Sequence, residues 1–190
     1  MKAKNANKKL VGRRCIKGIL KRNPEKKLTI TQMAFNTLCT MGDAMMNQIV
    51  RAAKEELASS IGSNHRVSLS RNHLIAGANR LGVASEIVED SLSRAKDKVY
   101  DPVSMKRTAL KRILAFSGGK SRVRSDAIPF IWCINLCLLE QIVDNISVDA
   151  KDPMRIKQAP IYQAVKTDSD NCLSCLREFI GEGVSFGSES

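Results

Sequence analysis

The residues of this chain best suited to chemistry are cations, and the chemistry they suit is the binding of phosphate. Lys26 and Lys27, Arg66 and Arg71, Arg122 and Arg124, and Arg155 and Lys157 fall in or beside four connectors between apolar stretches. Arg13 and Arg14 open a short helical stretch near the start. Across the chain 31 Lys and Arg face 19 Asp and Glu, a net charge of +12. The excess is lopsided, with 19 basic and 8 acidic residues in the first hundred and 12 and 11 in the remaining ninety. A field of this sign suits a polyanion, and nucleic acid is the default partner.

Other chemistries find less support. Cys133 and Cys137 are four apart, Cys172 and Cys175 form one CxxC, and Cys15 and Cys39 stand alone. No secretory signal precedes them, so a disulfide framework is not expected. Zinc on the two pairs is conceivable by residue type, but both pairs fall inside amphipathic helical stretches rather than on knuckle turns, so buried thiols are the expectation. His65 and His73 are too isolated for a catalytic or metal constellation. Gly118-Gly119-Lys120-Ser121 lacks the first glycine of a P-loop and follows no strand. No catalytic residue, metal or cofactor is expected, and the chain does not read as an enzyme.

The elements that position the cations are helices. Hydrophobic residues make up 43% and aromatics 4%, so the core should be aliphatic. No run approaches the ~18 to 20 uncharged apolar residues of a membrane span, and no membrane partner is expected. An intracellular or particle-enclosed protein follows as the expectation. Residues 1–12 read as a short basic tail, and Arg13 to Arg22 as a short helix with Cys15, Ile16, Ile19 and Leu20 inward. Thr31 offers a cap for a helix running to about Ser60, whose Leu38, Met41, Met45, Ile49, Ala53 and Leu57 recur at three- and four-residue steps. Met46, Val50 and Ala52 widen that stripe, and Gly42 is its weak point. Ser70 should cap a helix to about Leu81, and a further helix spans about Ala84 to Val99 before Asp101-Pro102.

The same plan then recurs. Lys106 to Phe116 reads as a short basic helix, Ser121 to Ser125 as a basic loop, and Asp126 as the cap of a second long helix reaching about Asp149. Pro129 sits in its first turn, where a missing N–H costs little. A basic loop ending in Arg155-Ile156 leads to a last short helix, Gln158 to Lys166. Ile19-Leu20 recurs as Ile113-Leu114 at a shift of 94, and Arg66 as Arg155 at a shift of 89.

Short helix, loop, long helix, loop, short helix is the order of the histone fold. Pro24 to Leu57, Val67 to Arg71 and Arg80 to Glu86 resemble histone 2B, including its extra helix after the fold. Leu110 to Leu114, Arg122-Val123, Arg155-Ile156 and Gln163 to Lys166 resemble histone 2A, and Ile180 to Val184 is similar to its docking segment. The chain thus resembles a fused histone doublet, a 2B-like half followed by a 2A-like half, of the kind carried by some giant DNA viruses.

The resemblance implies an all-α fold of two tandem histone folds paired as an intramolecular pseudo-heterodimer. Residues 13–100 would form the first, 101–176 the second, and 177–190 a docking segment and terminus. First loops would meet second loops, bringing Lys26 and Lys27 to Arg155 and Lys157, and Arg122 and Arg124 to Arg66 and Arg71. The implied function is packaging of double-stranded DNA without regard to sequence, together with a second doublet resembling the histone 4-3 pair. The alternative is a regulator that binds DNA or proteins without packaging. Glu86, Glu89, Glu140, Asp144, Asp168 and Asp170 would supply a thinned acidic patch. Phe179, Ile180, Val184 and Phe186 would dock on the partner, the alternative being that this tail folds back on its own doublet. The implied location is the virion, a viral factory or the host nucleus.

Overall fold

Helices dominate the computed structural model, which describes residues 11–22, 28–59, 68–98, 122–146, 155–170 and 172–180. In chain order they are α1 (Arg13–Lys21), α2 (Gln32–Ser59), α3 (Arg71–Arg80), α4 (Ser85–Asp97), α5 (Ala127–Asp144) and α6 (Gln158–Lys166). A 3₁₀ helix, Ser174–Ile180, follows. Four two-residue strands precede helices: β1 (Thr29–Ile30) α2, β2 (Ser68–Leu69) α3, β3 (Arg122–Val123) α5 and β4 (Arg155–Ile156) α6. The expected helix at 106–116, the Tyr100 to Val103 connector and the Gly118-Gly119 loop lie outside the described residues.

Each helix forms because one arc of it can be buried. In α1 that arc is Cys15, Ile16, Ile19 and Leu20. Nine residues would not hold a helix alone in water, so packing fixes it. Val11 belongs to the same layer at 1% exposure, and its carbonyl accepts a hydrogen bond from Cys39 Sγ at 3.3 Å. Val11 and Gly12, which the sequence places in the tail, are among the described residues, and the Val11 side chain packs beside Gly42 of α2.

Helix α2 spans 28 residues, roughly 42 Å at ~1.5 Å per residue. Its expected stripe, from Leu38 to Leu57 with Met46, Val50 and Ala52, is buried throughout. Thr31 starts it, with Oγ1 accepting from the Ala34 amide at 3.2 Å. Helix α3 packs on α2 through Gly77, where a Cβ would lie 2.6 Å from the Ile49 carbonyl oxygen and 2.7 Å from the Ala53 nitrogen. Only a glycine permits that approach.

Helix α5 is the centre, buried from Phe130 to Glu140 without interruption. Three expectations change here. The helix ends at Asp144 rather than near Asp149, with Asn145 as its C-cap. Asp126 does not cap it: its backbone is already helical (φ −75, ψ −21), whereas a capping side chain reaches the first amides from an extended backbone. Finally, α5 is long and apolar enough to cross a membrane by length and composition alone, with mean hydropathy 1.5, yet 78% of that window is buried inside the chain. Ile131, Leu138, Ile142 and Ile146 point inward, while Ile128 is only partly buried.

The strands tie the halves together. β1 pairs with β4 and β2 with β3, both in parallel. Each pair joins a segment before residue 100 to one after it. Helix α5 packs against α2 and against α4.

Candidate nucleic-acid interface

The first strand pair gathers cations and helix ends at one place. Because β1 runs directly into α2 and β4 into α6, their parallel pairing, with Thr29 opposite Arg155 and Ile30 opposite Ile156, sets two helix N-termini side by side. The Thr31 amide extends the ladder by donating to the Ile156 carbonyl at 3.0 Å. Ile156 is fully buried while Arg155 and Lys157, on either side of it, are exposed. That alternation follows from strand geometry. Lys157 is the N-cap residue of α6, its backbone extended, and its side chain makes no capping hydrogen bond. On the other flank Arg13 donates through Nη2 to Gln32 Oε1 in the first turn of α2 and lies 6.0 Å from the centre of the Phe35 ring. Arg14 is exposed beside it. Helix N-termini carry partial positive charge and unpaired N–H groups, so cations and helix ends act on an anion with the same sign.

The second pair repeats the plan with different chemistry. Ser68 stands opposite Arg122 and Leu69 opposite Val123, and the Arg124 amide donates to the Leu69 carbonyl at 2.9 Å. Here the N-termini of α3 and α5 meet. Arg124 is 64% exposed, but its Nε lies 4.0 Å from Asp126 Oδ1. Arg71 is half-buried, and its Nε has no hydrogen-bond partner among the described residues. The Ser70 amide donates to His73 Nδ1 at 3.1 Å, and Ser70 Oγ lies 2.9 Å from the same nitrogen. The register places Arg122 at the strand pair, while its side chain, with Lys26, Lys27 and Arg66, lies outside the described residues.

The register also corrects one equivalence. β1 and β3 stand 93 residues apart, Thr29 to Arg122, and β2 and β4 stand 87 apart, Ser68 to Arg155. Arg155 therefore corresponds to Ser68 in the first half, not to Arg66.

Of the acidic residues, Glu86, Glu140 and Asp144 line one cleft of about 240 Å3, joined by Asp90, Arg94, Cys137 and Cys172. Glu140 is paired within the chain, with Arg22 and, at 2.6 Å, with Arg94, which also meets Asp90 at 2.7 Å. Burial alone would lower the Arg94 pKa, but the hydrogen bonds it donates to Glu140 and Asp90 outweigh it and hold the guanidinium above its usual value. Asp168 is buried: its Oδ2 accepts from the Leu173 amide at 2.6 Å and its Oδ1 from Asn145 at 3.0 Å. Glu89 and Asp170 are exposed and do not line the cleft. Sequence reasoning missed Asp90, Arg22 and Arg94, and only the four-residue step from Asp90 to Arg94 signals any of this.

Ile180, expected to face a partner, is buried in the chain's own core at 3% exposure. Leu173 and Leu176 anchor the same 3₁₀ segment, which gives Ile180 an apolar seat. The Phe179 side chain, Val184 and Phe186 lie outside the described residues. All six cysteines are buried and none is bridged. Cys172 and Cys175 lie on a turn and the 3₁₀ helix, not on the amphipathic helix expected for them. Burial pushes the Cys133 thiol up to about 11 and those of Cys137 and Cys175 up to about 12. Such thiols stay protonated near neutrality and are poor nucleophiles. The chain matches no protein-family model and no curated protein.

Proposed function

We propose that the chain is two tandem histone folds closed on each other, and that it packages double-stranded DNA without regard to sequence. The observation that carries this reading is the reciprocal strand pairing, β1 with β4 and β2 with β3. Each pair juxtaposes two helix N-termini with exposed cations, which suits two phosphate-binding sites on one chain of net charge +12. Contacts of this kind read backbone and deformability rather than bases; the nucleosome is the general example of the mode. In this reading a second doublet resembling the histone 4-3 pair completes a nucleosome-like core, with the segment beyond Ile180, including Val184 and Phe186, docking on it. The particle would belong to a virion, a viral factory or the host nucleus.

Assembly of the chain on DNA with such a doublet, followed by nuclease digestion, tests the proposal. A protected fragment of fixed length on unrelated sequences is expected, and a chain ending at Ile180 should give a shorter one. No protected fragment, or protection of one sequence only, would overturn it.

A further inference from the structure

The two halves share one order of elements, strand, long helix, strand, short helix, so order alone does not stop a half from pairing with a copy of itself. The place where the long helices cross does distinguish them. The 93-residue spacing that carries Thr29 onto Arg122 also carries Gly42 of α2 onto Asn135 of α5. These two equivalent positions face each other. A Cβ on Gly42 would lie 2.6 Å from Asn135 Oδ1, 3.3 Å from its Nδ2 and 3.3 Å from Val11 Cγ2. The crossing therefore lies where exchanging the halves maps each helix onto the other, and it has room for one side chain.

Asn135 is fully buried, and neither its Oδ1 nor its Nδ2 has a hydrogen-bond partner among the described residues. An amide in that state is disfavoured relative to an apolar side chain of similar shape. Its presence calls for a reason other than stability.

We propose that Gly42 and Asn135 are the pairing-specificity residues of the fold, a hollow and a filler that admit the union of unlike halves and penalise that of like ones. Two second halves would set Asn135 against its own copy in a space that holds one amide. Two first halves would set Gly42 against Gly42 and leave a gap. Overfilling and voids both cost packing at a close helix crossing, and the unlike union alone avoids both. Buried polar residues that fix register and partner choice at the expense of stability are known in helical assemblies.

The full-length chain tests this with two variants, read by melting temperature and by sedimentation in high salt. Gly42→Asn recreates within one chain the opposition that like halves would suffer. It should lower the melting temperature by roughly 5 to 10 °C, in the range expected for overpacking, or prevent folding. The exchanged variant, Gly42→Asn with Asn135→Gly, moves the filler to the other helix. It should recover most of the loss and sediment as a single chain. A Gly42→Asn chain as stable as the parent would overturn the proposal. So would an exchanged variant no better than the single one, including the case in which neither folds, because complementarity rather than either residue is what is claimed.

Discussion

The two strand pairs have one backbone plan and different chemistry. At β1 and β4 Arg155 and Lys157 are exposed beside two helix starts, that of α2, which Thr31 caps, and that of α6, where Lys157 makes no side-chain capping bond. At β2 and β3 Ser70 and His73 close the start of α3, Asp126 makes no cap on α5, and its carboxylate lies 4.0 Å from the Arg124 guanidinium. A phosphate at the second site must compete with a carboxylate for the same guanidinium. Each pair thus has one capped and one uncapped helix start, and what separates the two is the carboxylate beside Arg124.

The largest effect is expected at the first site. Arg155→Ala with Lys157→Ala should reduce the slope of log affinity against log salt by about 1.8, two phosphates at about 0.9 each, a loss of roughly 60-fold at 0.1 M salt. Binding titrations on one duplex at several salt concentrations would measure it. A loss no greater than that of Arg124→Ala would erase the contrast.

Next in size is the ion-pair cluster that joins α4 and α5, with Arg22 at the end of α1. Glu140→Gln leaves Arg94, 20% exposed, beside Asp90 alone, and should cost about 2 to 3 kcal/mol of stability. Arg22 is half-exposed and adds little to that figure. Urea unfolding would record the cost, while the salt slope of the folded variant should not change.

A smaller, opposite change is expected at the second site. Asp126→Asn frees Arg124 from its neighbour and should raise affinity a few-fold, moving the second site toward the first. Unchanged or weaker binding would mean that the carboxylate does not compete. The smallest effects are at the caps: Thr31→Ala and Ser70→Ala should each cost about 1 kcal/mol, seen as a lower urea midpoint with an unaltered salt slope.

How much of this was legible in the sequence follows from the range of the interactions. The α2 stripe was readable because a helix buried along one arc repeats its apolar residues every three or four positions, and Leu38 to Leu57 do so without a break. Two-residue strands have no period to read, and their pairing became an expectation only through resemblance. Gly42 read as a weak point of the helix because its worth lies in Asn135, distant in sequence and opposite in space. Glu140 read as a surface acid for the same reason: its partners Arg22 and Arg94 lie on other helices. Ile180 read as a terminus in search of a partner, yet its seat is in its own chain. Asp126 had the right residue type for a cap, and its backbone conformation, which residue type does not fix, ruled the cap out.

If the paired loops grip the DNA backbone without reading its sequence, as proposed, salt titration of the intact chain on two unrelated duplexes of equal length should show it. Affinities that agree within about threefold and slopes steeper than about −3.6, the value for four phosphates, are expected. A salt-insensitive affinity, or strong discrimination between the two duplexes, would contradict it.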